Sequence, residues 1–161
     1  AFLYAGEELG LEDAVIPEDR VVDPGGRDGC RGPIPWDGTP EHGWGTDDPW
    51  LPWPPDPATR NAQVQRADPA SIAHLYRRLL GARRSSPALR LGSYEPLDAP
   101  EGVLAYRREA DGDVRVVLIN FTDGAVAVDA TGTVEVSTTG AGEGAAFDGT
   151  LGPAVAVVLR P

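Results

Sequence analysis

Hydrophobic positions fall into three regimes along the chain. The opening AFLYAGEE is a short apolar run with two aromatics that reaches Gly6. That pattern predicts a buried strand over residues 2–6 running into a turn. Residues 12–66 carry no sustained period, and Pro and Gly recur throughout. Residues 68–84, DPASIAHLYRRLLGARR, place Ile72, Leu75, Tyr76, Leu79 and Leu80 at i, i+3, i+4, i+7 and i+8. This is the stripe of a helix with one buried face. Asp68 is its candidate N-cap, Pro69 suits the first helical position, and SSP at 85–87 stops it. Arg77, Arg78, Arg83 and Arg84 lie toward the C-terminal end, where cations suit the helix dipole. His74 falls off the stripe and reads as a solvated surface residue.

After Leu91 the period shortens to alternation. Residues 102–109, 113–121, 125–130, 133–138 and 154–160 are strand candidates, and 92–97 is a further one. ADGD (110–113) and TDG (122–124) are hairpin turn signals. Short strands at this spacing predict an antiparallel sandwich.

Composition then narrows the function classes. The net charge is −11. Phosphate backbones need a basic stripe and anionic membranes a basic face, so neither nucleic acid nor a membrane is an expected partner. No apolar run approaches the ~20 residues of a membrane span, and no signal peptide is visible at Ala1. Cys30 is the one cysteine and can make no internal disulfide, so a cytoplasmic location is expected. There is no methionine, all 14 basic residues are arginine, and the chain begins inside an apolar run. A segment of a longer polypeptide is therefore expected.

The long irregular stretch is where chemistry could sit. So long a connection is usually functional or disordered. Trp36, Trp44, Trp50 and Trp53 argue for order, because disordered segments are poor in aromatics. The four tryptophans fill the loop's own core or, alternatively, present a sugar-binding platform. Cys30 has no base near it in sequence, no Cys/His cluster has zinc spacing, and a phosphate loop would need a lysine. Glu7 and Glu8 are adjacent carboxylates, but consecutive strand residues point to opposite faces and cannot flank one glycosidic bond. Arg27 and Arg31 stand four apart in DPGGRDGCRGPIPW, a segment held by glycine and proline. A guanidinium presents five fixed donors, so this pair either ties the loop to acidic neighbours or reads a ligand's oxygens.

Taken in order, AFLYAGEELGL, GRDGCRGPIPW, WLP and QRADPASIAHLYRRLLGARRSSPALRLG resemble the α-glucosidase and oligo-1,6-glucosidase branch of the α-amylase superfamily. Asn120–Phe121 in the following β region also fits. The resemblance is strong over residues 1–92 and mainly positional over 93–161. It implies a mixed fold in two parts. Residues 1–91 would be the C-terminal end of a (β/α)8 barrel: its last strand (2–6), a long substrate-side loop (7–66) and its last helix (68–84). Residues 92–161 would be an antiparallel all-β C-terminal sandwich. It further implies that Arg27 helps hold the terminal glucose, that Arg31 lies near the acceptor side of the scissile bond, and that Asp28 orients the arginines.

A whole barrel takes about 250 residues. The family's catalytic carboxylates sit on earlier strands, so no residue here takes a catalytic role by matching, and no metal or cofactor is implied. The implied parent is a retaining α-glucosidase acting on α-linked gluco-oligosaccharides, with this chain alone inactive. The alternative is a non-catalytic carbohydrate-binding or structural β module. A first strand without its barrel neighbours would expose two apolar edges. Either self-association through residues 1–6 or a rearranged N-terminal half is therefore expected.

Overall fold

The structure, a computed structural model, describes residues 2–161. The chain divides into two compact units, Ala1–Tyr76 and Arg77–Pro161. Among the described residues, no helix is long and apolar enough to cross a membrane.

The first unit is mostly irregular. It holds single 3₁₀ turns at Glu7–Leu9, Glu18–Arg20 and Gly29–Arg31 and a short helix α1 (Ala62–Ala67). Its buried apolar side chains are few, chiefly Leu9, Ala14, Leu51 and Ala62. Hydrogen bonds take over the work of fixing the chain. Asn61, fully buried, caps α1 by accepting from the Val64 amide at 3.0 Å and donates to the carbonyls of Pro57 and Ala58. Arg60 ties this end back to Glu12 at 2.5 Å.

The strand expected over residues 2–6 is not formed; Ala1 lies outside the described residues. Phe2, Leu3 and Tyr4 are exposed and pair with no sheet, because the described residues of the unit form no strand beside them. Over residues 2–6 no sheet edge is formed.

The helix expected over 68–84 is α2, Ile72–Ser85. Its start is displaced because Asp68 closes α1, its backbone N–H donating to the Val64 carbonyl. The Asp68 carboxylate then accepts from the Ala70 amide, and the Ser71 hydroxyl accepts from the His74 amide at 3.3 Å. Ser71, not Asp68, thus serves the first turn of α2. The stripe of α2 is amphipathic as expected, yet none of its residues is buried, and Ile72 and Leu79 stay exposed. A third short helix α3, Pro87–Leu91, follows where SSP was expected to end helical structure. Ser86 caps it, accepting from the Leu89 amide, with Pro87 in the first turn.

The second unit is antiparallel. Its strands are β1 (Glu95–Pro96), β2 (Val103–Ala110), β3 (Asp113–Asn120), β4 (Val126–Ala127), β5 (Thr133–Ser137), β6 (Thr150–Leu151) and β7 (Ala156–Arg160). Five form one sheet in the order β1-β2-β3-β7-β5, and β4 pairs β6 separately. The ADGD hairpin forms as expected. Ala110 pairs Asp113, and Asp111 and Gly112 both take positive φ, the geometry of a two-residue primed turn. TDG also turns, but the strands on either side of it belong to different sheets, so it is a crossover and not a hairpin. Register puts Ala105 beside Leu118 beside Val157, and Val116 beside Leu159 beside Val134. These rows form one core with Val128 and Leu151.

Candidate functional site

Residues 22–31 form a tight loop built around two carboxylates. Asp28 is buried, and its Oδ2 accepts from the Val22 and Asp23 amides at 2.7 and 2.8 Å. That clamp closes the loop on itself. Gly26, at φ +70°, makes the left-handed step that lets its amide reach the Asp23 carbonyl at 3.0 Å. Gly29 lies against Ala14, whose amide donates to the Gly29 carbonyl at 3.1 Å, and a Cβ there would fall 2.7 Å from the Ala14 oxygen. Only glycine fits that approach.

The second carboxylate is Asp23, which gathers both arginines. Its Oδ2 accepts from Arg27 Nε at 2.6 Å and its Oδ1 from Arg27 Nη2 at 3.0 Å. Arg31 Nη1 donates to the same Oδ2 at 3.3 Å. The amides of Gly25 and Arg27 complete its shell. The hydrogen bond from Arg27 and those of the two amides hold the Asp23 carboxyl down at about 2, with Arg31 adding its charge and burial opposing. Asp23 in turn holds the Arg27 guanidinium above its ordinary value.

The site residues named from sequence thus come together in one loop, with one role reassigned. Asp28 is expected to orient the arginines; its Oδ2 goes to two backbone amides and it reaches Arg27 only through its charge, while Asp23 makes the hydrogen bonds to both arginines. The sequence signal was present in the acid four positions before Arg27, within a glycine-held turn. Both guanidinium groups remain open outward, with 63% of the Arg27 and 42% of the Arg31 side chain exposed. Arg27 Nη1 and Arg31 Nε and Nη2 carry no hydrogen bond to the described residues. Cys30 is exposed, and its Sγ lies 3.1 Å from the Arg27 carbonyl.

The tryptophans divide. Trp53 is half-buried and packs edge-on against buried His42, ring centres 4.6 Å apart. Trp36, Trp44 and Trp50 are exposed, so the loop-core reading holds for Trp53 alone. Beside the loop opens a cavity of about 690 Å³, lined by Asp23, Arg31 and the rings of Trp44 and Trp50, among others.

The family model "Alpha amylase, catalytic domain" matches residues 1–92. A Rhizobium meliloti protein named "Probable alpha-glucosidase" is 36% identical over 130 residues, covering 75% of this chain and 24% of its own length. The glucan 1,6-alpha-glucosidase of Streptococcus pneumoniae is 34% identical over 119 residues, covering 72% of this chain and 22% of its own. The crystal structure of the alpha-glucosyl transfer enzyme XgtA superposes with a TM-score of 0.79 at 35% identity, covering 98% of this chain and 32% of that one. The chain thus spans about a quarter of the length of the curated relatives it matches.

Proposed function

The chain belongs to the α-amylase catalytic-domain family, and we propose that it is the C-terminal portion of a retaining α-glucosidase that releases glucose from the ends of α-linked oligosaccharides. In this reading residues 1–91 close the catalytic barrel and residues 92–161 form its C-terminal β domain. Arg27 and Arg31 hold substrate hydroxyls, and Asp28 keeps their loop closed. The nucleophile and the acid/base, which such an enzyme uses to form and hydrolyse a glycosyl intermediate, come from outside this chain.

One observation carries the reading: two outward-open guanidinium groups are fixed on a single buried carboxylate. A preorganised donor set loses little freedom when it binds. The charge balance supports an uncharged ligand. Arg27 and Arg31 face Asp23 and Asp28, so the cluster is close to neutral and suits sugar hydroxyls better than a phosphate. The names of the relatives, a glucan 1,6-alpha-glucosidase among them, point the same way.

Incubating the purified chain with an aryl α-glucoside tests its incompleteness. No turnover is expected; turnover that tracks the chain and disappears in Arg27→Ala would overturn the proposal. In a polypeptide that also carries the rest of the barrel, Arg27→Ala should lower kcat/KM by about 10- to 100-fold, the worth of a charge-assisted hydrogen bond.

A further inference from the structure

The β unit holds a cavity of its own, of about 280 Å³. The loop that closes it, TGAGEGAAFDG over 139–149, is mostly glycine and alanine, so few side chains fill the space beside it. Gly142 lines the cavity at φ +74°, a conformation that larger residues rarely adopt. The floor is apolar. Val134 and Val157 belong to the core of the unit, and Val155 and Phe147 pack against that core.

The loop is held in place although it is not a strand. The Val134 amide donates to the Ala145 carbonyl at 2.9 Å, and the Gly144 amide to the Val134 carbonyl at 2.8 Å. The Phe147 amide reaches the Gly132 carbonyl at 2.8 Å. Glu143 is spent on the same frame, accepting from Arg78 Nε at 3.0 Å and from the Ser137 amide at 2.9 Å. The walls are therefore preformed, as small-molecule sites usually are.

Two polar features face the cavity. Ser137 lies deep, 1% exposed, and its hydroxyl shares a hydrogen bond of 3.1 Å with that of Thr139. Ser137 Oγ also accepts from the Thr139 amide, and Thr139 Oγ1 from the Ala141 amide, each at 3.3 Å. The pair owns two hydroxyl protons and uses one between its members. One O–H is left to donate, whichever residue carries it. At the mouth stands Asp148, exposed, the one charged residue among the described residues that line the cavity. Its Oδ1 accepts from the Thr150 amide at 2.9 Å, and Oδ2 has no bond to the described residues.

These features select the occupant. A carboxylate with no cation beside it on the lining calls for a positive group. The leftover hydroxyl proton calls for an oxygen acceptor, and the valines and Phe147 call for hydrocarbon. The volume lies just under the ~300–1,000 Å³ of sites for drug-sized ligands, so the molecule is small. We propose that this cavity binds a small aliphatic amino alcohol. Its ammonium sits on Asp148, its hydroxyl oxygen accepts from the Ser137–Thr139 pair, and its hydrocarbon lies on Val155 and Phe147. An amino acid fits less well, because its carboxylate would meet the charge of Asp148.

The test is titration of the isotope-labelled 161-residue chain, read as amide shifts in a two-dimensional NMR spectrum. The probes are leucinol, isoamylamine, which lacks the hydroxyl, isohexanol, which lacks the ammonium, and leucine, which adds a carboxylate. Leucinol should move the amides of Ser137, Thr139 and Asp148 with a Kd of about 1 mM, in keeping with so few atoms. Isoamylamine should bind about threefold more weakly, and isohexanol and leucine about tenfold. Asp148→Asn keeps an acceptor for the Thr150 amide and should weaken leucinol about tenfold while leaving isohexanol unchanged. Ala146→Leu enlarges an exposed lining residue and should abolish binding of all four probes. The spectrum of each variant reports its fold in the same experiment. No shifts with leucinol, shifts confined to other residues, full affinity in Asp148→Asn, or leucine binding as tightly as leucinol each overturn the proposal. Leucinol no tighter than isoamylamine overturns the role of the hydroxyl pair and with it the amino-alcohol assignment.

Discussion

Asp23 holds the Arg27 guanidinium side-on, with Nε 2.6 Å from Oδ2 and Nη2 3.0 Å from Oδ1. The two stand four positions apart, with Gly25 and Gly26 in the turn between them. Because Arg27 spends Nε and one Nη2 proton on Asp23, its Nη1 edge is the part left for a ligand. The same carboxylate also takes Arg31, so one buried side chain sets the direction of both cations. A lone Asp substitution therefore acts on two arginines at once.

Asp23 gives an acid-sensitive contribution to stability. Its carboxyl sits at about 2, below the ordinary 3.8. A carboxylate depressed in the folded state stabilises above its unfolded pKa, and the benefit is lost as pH falls through the folded value. The stability gap between wild type and Asp23→Asn should be flat above pH 4 and close between pH 3.8 and about 2. Thermal melts followed by near-ultraviolet circular dichroism measure it. A gap that stays full at pH 2 would contradict this account.

Two glycines should respond to alanine in opposite directions. At Gly29 a Cβ would lie 2.7 Å from the Ala14 carbonyl oxygen, a backbone atom that cannot move without breaking the Ala14–Gly29 hydrogen bond. Gly29→Ala should cost about 1–3 kcal/mol, as overpacking does. Gly81 sits inside α2 with nothing within 4 Å of a built Cβ. Gly81→Ala should stabilise by about 0.5–1 kcal/mol through lower chain entropy. Urea denaturation of the two variants beside wild type reads both signs.

Legibility followed length and periodicity. The β-branched run of Val114 to Asn120 and the ADGD turn made β2 and β3 readable; β3 is buried at four successive positions, Arg115 to Leu118, so a continuous apolar run bounded by a turn was the signal and not strict alternation. The stripe from Ile72 to Leu80 made α2 readable, though its first residue was not. Asp68 is an acceptable cap for either of two adjoining helices, and α1 claims it. The pair Thr150–Leu151 is too short to carry any period, so β6 was invisible. In the candidate site, Arg27, Asp28 and Arg31 were nameable from their spacing and family likeness. Asp23 carried only a weak signal, an acid four positions before Arg27, because which carboxylate an arginine meets depends on the turn between them, here set by the left-handed Gly26.

Asn120 fastens the turn after β3. It is 1% exposed, donates to the Gly124 and Gly152 carbonyls at 2.8 Å each, and accepts from the Thr122 amide at 2.9 Å. Asn120→Ala removes all of these and leaves the half-buried Thr122 amide and Gly152 carbonyl to find water, at a cost of about 1–2 kcal/mol. Asn120→Asp should cost more, since a carboxylate cannot donate to two carbonyls. Chemical denaturation measures both; a loss below about 0.5 kcal/mol in Asn120→Ala would remove this role.

Arg115 is the interior cation of the β unit. Its side chain is 8% exposed and bridges Asp113 and Glu135, each 22% exposed. Burial works against its charge, and the bonds to Glu135 and Asp113 outweigh that, raising its pKa. Asp113 is engaged further, accepting from the Ser86 hydroxyl and from the Ala88 amide at 3.1 Å, so it joins the cap of α3 to the sheet. These contacts, the Ser86 hydroxyl first, depress the Asp113 carboxyl, so its contribution is lost as pH falls below the ordinary 3.8. Arg115→Ala strands two half-screened carboxylates. It should cost about 2–4 kcal/mol, somewhat under a fully buried pair because water still reaches the acids. Arg115→Met, which restores packing, should recover part of that loss only when Glu135→Leu is added, because the leucine removes the stranded charge on that side. Denaturant midpoints for the three variants decide it. If Arg115→Met alone matches wild type, the ion pairs contribute nothing and packing is the whole effect.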